Sequence, residues 1–173
     1  VGVFGVTPTI QTGSAFMKTS GKNSLPEVST YDSSDPAGPA DGAVTINIQG
    51  GTDPININTT GDIILNVFSP DNQSSTLVIG SVVTTGNIYI NAADGVFAYD
   101  AGSIISANRV EIFTSDGSIG STDLPVRINS NTAGDGGLAA VADGNINIIE
   151  TTGDLNLIQP VLINGYLVSV QSL

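Results

Sequence analysis

The sequence predicts an all-β fold, a parallel β-helix with about three short strands in each coil. A phrase of glycine, a small polar residue and alternating aliphatic residues returns at residues 61–65, 86–90, 144–148 and 153–157. Many neighbouring apolar clusters lie eight to eleven residues apart, and within each cluster the period is two, as in half-buried strands. No segment carries a helical period over ten residues. A strand this short cannot bury its apolar face alone, whereas stacked copies can.

An antiparallel β-sandwich is the alternative, because it also contains evenly spaced short strands. A sandwich predicts hairpin dipeptides and varied strand sequences, whereas a β-helix predicts phrases that return once per coil. Ile63 and Ile88 are 25 residues apart, and Ile88 and Val110 are 22 apart, which suits three strands per coil. Val110 and Ile146 are 36 apart, so a bulge, an inserted loop or a partial turn is needed there. The repeated phrase favours the β-helix.

Two regions differ in composition. Residues 1–41 read as one apolar strand, Val1–Val6, followed by an arm or loop rich in Pro, Gly and Ser. Residues 42–173 read as the β-solenoid, in which the turn glycines, including Gly86 and Gly144, are expected to hold positive φ. The predicted inward-facing residues are Ile46, Ile48, Ile63, Leu65, Ile88, Ile90, Val110, Ile112, Ile146, Ile148, Leu155 and Leu157.

Composition excludes several function classes. Four basic residues stand against sixteen acidic ones, giving a net charge of −12, so nucleic-acid backbones and anionic lipid surfaces are not expected partners. The chain has no Cys and no His, which excludes zinc sites of the usual ligands, thiol catalysis and histidine acid–base chemistry. No apolar run approaches the roughly 20 residues of a membrane span.

Few residues are candidates for chemistry. Arg109 and Arg127 are spaced to fall on neighbouring coils near Glu111, and an exposed charge pair is the preferred interpretation over a catalytic base. We therefore predict no catalytic residue, no cofactor-binding residue and no enzymatic activity. Acidic turns make calcium a weak candidate ligand, but turn formation explains them better; they are Asp53, Asp71, Asp94, Asp100, Asp116, Asp123, Asp135 and Asp143. Asparagines beside the strand apolars suggest side-chain ladders along the solenoid axis or ordinary exposed polar alternation; they are Asn47, Asn56, Asn58, Asn87, Asn91, Asn145, Asn147 and Asn156.

Three stretches carry a family resemblance: Gly117-Ser118-Ile119-Gly120, Leu124-Pro125-Val126-Arg127-Ile128-Asn129, and the stretch from Gly144 to Leu155. Through them, residues 42–158 resemble the repeats of giant filamentous haemagglutinin-like bacterial adhesins, those of the filamentous adhesin-leukotoxin type in particular. This resemblance implies a right-handed coil, export to the cell surface or beyond, and a role in adhesion or matrix assembly. It brings no catalytic residue with it.

The resulting functional expectation is a non-catalytic structural or adhesive segment of a secreted bacterial surface or filament protein. The alternative is a carbohydrate-binding or polysaccharide-degrading β-helix domain. Both the start, Val1–Val6, and the stretch 161–173 are apolar and strand-like. The expected partners are therefore a second copy or further coils of a longer chain, with a carbohydrate or host-matrix receptor as a further candidate.

Overall fold

A computed structural model of the chain describes residues 9–11, 27–30, 44–68 and 75–160. Within these ranges the chain forms strands and turns only, and no helix long and apolar enough to cross a membrane occurs there. The strands are β1 Thr9–Gln11, β2 Glu27–Thr30, β3 Val44–Gln49, β4 Ile55–Asn58, β5 Ile63–Phe68, β6 Leu77–Val83, β7 Asn87–Ala92, β8 Gly95–Ala98, β9 Ile104–Ser106, β10 Arg109–Phe113, β11 Ser118–Ile119, β12 Val126–Asn129, β13 Gly137–Val141 and β14 Ile148–Glu150.

The strands form two sheets whose ladders run along the solenoid axis. The six-stranded sheet has the order β13-β10-β7-β5-β3-β2. The eight-stranded sheet follows β1-β4-β6-β9-β12-β14, with β8 and β11 beside this path. The pairing is parallel throughout, apart from β2, which pairs antiparallel with β3. Parallel ladders between strands from successive coils confirm the predicted β-solenoid and exclude the antiparallel sandwich.

Each central coil consists of three strands, as the spacing predicts. One coil runs through β7, β8 and β9, and the next runs through β10, β11 and β12. Each strand of the second coil pairs with the corresponding strand of the first: β10 with β7, β11 with β8 and β12 with β9. Val110 thus lies beside Ile88, and Ile119 lies beside Val96. The chain therefore completes about one coil each time it returns to the six-stranded sheet.

The core is a set of aliphatic columns between the two sheets. In the six-stranded sheet one column contains Ile63, Ile88, Val110 and Leu138, each at most 4% exposed. Val82, Ile105 and Ile128 form the facing column in the eight-stranded sheet, and all are fully buried. Isoleucine and valine suit these positions because β-branched side chains pack well on a pleated surface.

The repeat continues at Gly137 rather than at Gly144. Val110 pairs with Leu138, and Ile146 instead bridges Ile119 in the eight-stranded sheet. The phrase Gly144-Asn145-Ile146 therefore stacks on Gly117-Ser118-Ile119, whose strand in the preceding coil is the short β11. This assignment removes the apparent 36-residue interval, because the true one from Val110 to Leu138 is 28 residues.

Burial follows the predicted inward set in the first coils and departs from it in the last. The predicted residues of β3, β5, β7 and β10 are all buried, and Ile148 packs partly buried against the core. Leu155, also predicted to face inward, is 45% exposed. Ile146 and Leu157 lie in inward columns as predicted, through their bridges to Ile119 and Leu138, but they are 47% and 73% exposed. They are exposed because no further described strand pairs with them on the other side.

The turn glycines are required mainly by close stacking rather than by positive φ. Gly95, Gly120, Gly134, Gly137 and Gly153 have positive φ, so the expectation is wrong for Gly86 and Gly144. A Cβ at Gly86 would lie 2.5 Å from Asp62 Oδ1 and 2.8 Å from the carbonyl carbon of Gly61. The neighbouring coil therefore leaves no room for a side chain at that corner.

Two short strands from the first region attach to the solenoid. β1 pairs parallel with β4, and β2 pairs antiparallel with β3. β2 thus continues the six-stranded sheet by one strand that runs against the direction of the others. The predicted strand Val1–Val6 lies outside the described residues.

Candidate functional site

The outer face of the six-stranded sheet brings four titratable side chains close together: Asp62, Tyr89, Arg109 and Glu111. Residues that alternate with the core columns point away from the core, because successive side chains of a strand face opposite sides. One outward row contains Asp62, just before β5, with Asn87 and Arg109. The next, which we call the outer row, contains Ile64, Tyr89, Glu111 and Ala139, in register on β5, β7, β10 and β13.

Asp62 holds the start of the following coil. Its Oδ1 accepts a hydrogen bond from the backbone N–H of Asn87 at 2.8 Å, and its Oδ2 accepts one from Asn87 Nδ2 at 3.2 Å. The Asp62 residue is 8% exposed. A carboxylate that accepts two hydrogen bonds from the next coil stabilises the stacking of the two coils along the axis.

Arg109 joins the outer row to a later part of the chain. Its Nε donates to Glu111 Oε1, and its Nη2 donates to the backbone carbonyl of Gln159. The side chains of Arg109 and Glu111 are 21% and 7% exposed. The sequence predicts an exposed charge pair at this point, and the pair exists but is largely buried. A buried carboxylate requires such a partner, since an isolated buried charge is very costly.

Tyr89 is the largest buried side chain of the outer row, at 2% exposure. Its burial, together with the negative charges of Asp62 and Glu111, raises the pKa of the Tyr89 phenol well above its ordinary value of 10.0. Arg109 and a hydrogen bond with Asn87 act in the opposite direction and are outweighed. The phenol is therefore held neutral, without direct access to solvent.

We expect the Tyr89 phenol to remain protonated in the folded protein at a pH at which solvent-exposed tyrosine side chains have ionised. The unfolded chain loses this proton as the pH rises through 10, so the free energy of unfolding should fall with increasing pH above that value. Tyr89→Phe should remove this part of the pH dependence. Alkaline absorbance titration of the four tyrosines, combined with urea unfolding at several pH values, measures both effects. Reversible ionisation of all four near pH 10 in the folded protein would contradict the assignment.

The remaining predicted candidates do not join this cluster. Arg127 lies on β12 of the other sheet, in register with Ile149, and so is not beside Glu111. Two of the acidic turn residues accept hydrogen bonds from residues distant in the sequence: Asp94 accepts from the Ser75 N–H at 2.6 Å, and Asp135 accepts from Asn108 Nδ2 at 2.7 Å. Within the described ranges, no group of three or more Asp or Glu side chains is placed to hold a metal ion. Asp71 lies outside the described residues.

Asparagine ladders are present but short. Asn91 Nδ2 donates to Asn66 Oδ1 at 3.0 Å across adjacent coils. Asn56 Oδ1 instead accepts from the backbone N–H of Ser81 at 2.8 Å, at the point where the β4–β6 register shifts. Thr84 also joins two coils, at a corner, where its hydroxyl donates a hydrogen bond to the Gly61 carbonyl at 2.6 Å. Polar side chains thus connect coils to one another along the axis.

The outer-face cluster could not be predicted from the sequence patterns, although its residues stand within the repeated phrases. Asp62 and Asn87 occupy the small polar position after glycine, and Tyr89 occupies an outward position of its strand. The only available signal was an aromatic residue where the other phrases have an aliphatic or polar one. Chemically, the cluster can link coils and hold a neutral phenol; its burial leaves no described path for a substrate.

Comparison of the chain with models of protein families, with curated proteins and with solved structures finds no match. The resemblance to filamentous haemagglutinin-like repeats therefore stays a prediction that depends on the quoted phrases alone.

Proposed function

We propose that this chain is a non-catalytic structural or adhesive β-solenoid segment of a bacterial surface or filament protein. One observation carries the proposal: inward columns of the solenoid continue to its last described coil and end in exposed aliphatic side chains. Ile146 continues the column of Ile119, and Leu157 continues that of Leu138. An open column end is a stacking surface, since further strands can extend both the ladder and the core.

The side chains that connect the coils support a scaffold role. Asp62, Thr84 and Asn91 each bond across one coil boundary, and none of these contacts needs a ligand. Glu111 and Tyr89 are buried in the outer row, and the Arg109 side chain beside them is 21% exposed. The resemblance to adhesin repeats adds an extracellular location and an adhesive role to the same proposal.

The stacking surface is tested by self-association of the full chain. We expect sedimentation velocity to show concentration-dependent association of the wild type. Leu157→Asp should abolish it, because a charge in the column end opposes stacking of an apolar surface. Tyr99→Asp is the matched control: Tyr99 is also exposed, at 58%, but follows β8 on the side of the coil. A wild type that stays monomeric at every concentration, or equal loss in both variants, would contradict the proposal.

Carbohydrate binding is the second candidate, and one observation favours it. Tyr99 is strongly exposed, and Phe97, two residues earlier, is half-exposed on the outer side of β8. Neighbouring aromatic rings on a rigid sheet suit stacking against sugar rings. Affinity electrophoresis in gels containing neutral or acidic polysaccharides tests this, with Tyr99→Ala as the variant. Retardation of the wild type that Tyr99→Ala removes would establish this function; no retardation in any gel would exclude it for those polysaccharides.

A further inference from the structure

The outer face of the eight-stranded sheet carries a cation among uncharged side chains. Val82, Ile105 and Ile128 point into the core, so the residues that alternate with them point outward. One outward row, which we call the arginine row, crosses β4, β6, β9, β12 and β14 in register; it contains Asn56, Ser81, Ile104, Arg127 and Ile149. The row beside it contains Asn58, Val83, Ser106 and Asn129. Neither row contains an acidic residue, although sixteen acidic residues stand against four basic ones in the chain.

Arg127 is the cation of this face and has no anionic partner among the described residues. The one ion pair within those ranges joins Arg109 to Glu111, on the other sheet. The Arg127 side chain is half-exposed and forms no hydrogen bond there. Glu150 lies at an inward position of β14 and accepts hydrogen bonds from the Ser130 N–H at 3.1 Å and the Ser130 hydroxyl at 2.5 Å. A guanidinium in this setting suits a carboxylate, which it binds through two parallel N–H donors.

An exposed aromatic ring lies next to the arginine row. The Tyr99 N–H donates to the Ile79 carbonyl at 2.8 Å, and Ser81, two residues further along β6, pairs with Ile104. Tyr99 and Ile104 are therefore held against the same short stretch of β6, and the turn 100–103 lies between them in sequence. Tyr99 is 58% exposed. An aromatic face and an aliphatic side chain thus border the position of the guanidinium.

Neutral hydrogen-bonding groups complete this face. Asn129 Nδ2 donates to Ser106 Oγ at 3.3 Å, which leaves the amide oxygen of Asn129 and the hydroxyl proton of Ser106 for a ligand. Asp100, the acid closest to Tyr99 in sequence, accepts hydrogen bonds from the Gly102 N–H at 2.9 Å and the Ser103 hydroxyl at 3.1 Å, within its own turn. Amide and hydroxyl groups of this kind match the hydroxyl groups of a sugar.

We propose that this face binds a glycan at a uronic acid residue, whose carboxylate pairs with Arg127 and whose ring packs against Tyr99 and Ile104. The proposal deepens the carbohydrate-binding candidate and rests on it, because Tyr99 provides the stacking surface and Arg127 the preference for an acid. The ligand carries one carboxylate among neutral sugars. The two rows offer a single guanidinium, and the net charge of −12 repels a dense polyanion.

Titration of the full chain with two matched oligosaccharides tests the proposal. The probes are xylotetraose and the same tetraose with one glucuronic acid branch, and amide NMR spectra report binding. We expect the wild type to bind the acidic probe at least about tenfold more tightly than the neutral one, a preference that corresponds to ~1.4 kcal/mol. Arg127→Gln should bind both probes equally. Arg127→Lys keeps the charge without the planar fork, so it should retain part of the preference.

Tyr99→Ala separates this inference from the carbohydrate function itself. We expect this variant to weaken the binding of both probes by a similar factor and to keep the preference for the acid. Equal binding of both probes by the wild type, or a preference that survives in folded Arg127→Gln, would overturn the inference and leave carbohydrate binding standing. Binding of neither probe would overturn both. Tighter binding of tetragalacturonate than of the singly acidic probe would overturn the choice of an isolated carboxylate.

Discussion

Replacing Ile88 by alanine should lower the free energy of unfolding by about 3 kcal/mol, within the usual range for deletion of a large buried aliphatic group. Ile88 is fully buried and lies in the middle of a column, with Ile63 on one side and Val110 on the other. Strands on both sides are fixed by their ladders, so the cavity left by the missing atoms can collapse only partially. Urea unfolding followed by circular dichroism measures the loss.

Ile149→Ala is the matched control for this prediction. Ile149 has the same side chain and also lies in a strand, but it faces outward and is 44% exposed. We expect Ile149→Ala to lower the free energy of unfolding by under about 1 kcal/mol, because folding removes little of the apolar area of this side chain from water. Ile88→Val, which removes one methylene group, should fall between the two at about 1 kcal/mol. Equal losses for Ile88→Ala and Ile149→Ala would contradict the assignment of inward and outward columns.

The β-solenoid was predictable because the period-two clusters and the repeated phrase report directly on stacked half-buried strands. Which phrase stacks on which was harder to predict. Gly144-Asn145-Ile146 has the same letters as Gly86-Asn87-Ile88, yet it lies in the other sheet, and the strand that stacks on β10 begins at Gly137. Its Gly-Leu-Ala-Ala-Val sequence lacks the polar residue of the phrase. Register is set by contacts with the preceding coil, which a local phrase does not encode.

The outer-face cluster shows the same limit. A polar residue type predicts an outward position on a strand. Ile64 and Tyr89 are not polar in this sense, and they are outward and yet only 2% exposed. Alternation of apolar and polar residues separates the two faces of a strand, but it does not predict which of the two faces is buried. The charge pair of Arg109 and Glu111 was expected from the sequence as an exposed pair, whereas its side chains are 21% and 7% exposed. Ile146 and Leu157 are inward, as predicted, and yet exposed, since an inward position buries a side chain only where another coil lies above it.

Gly117→Ala should destabilise the protein by about 3 kcal/mol, at the upper end of the usual cost of overpacking. A Cβ at Gly117 would lie 2.1 Å from the carbonyl oxygen of Asp94 and 2.6 Å from the nitrogen of Gly95. Both atoms belong to the backbone of the preceding coil, so no side-chain rotation relieves the clash. The two coils would have to separate, which breaks the Asp116 N–H bond to the Ala93 carbonyl, 2.9 Å long.

Two further alanine variants separate this clash from the conformational preference of glycine. Gly134 has a φ of +95°, and no atom lies within 4 Å of the place a Cβ would take, so Gly134→Ala should cost only about 1 kcal/mol through backbone strain. Gly61 has neither a positive φ nor a close neighbour, and Gly61→Ala should change stability by under about 0.5 kcal/mol. Thermal and urea unfolding of the three variants should give the order Gly117, Gly134, Gly61. A Gly117→Ala protein as stable as Gly61→Ala would show that the corner at Gly117 does not stack on β8 as closely as the structure indicates.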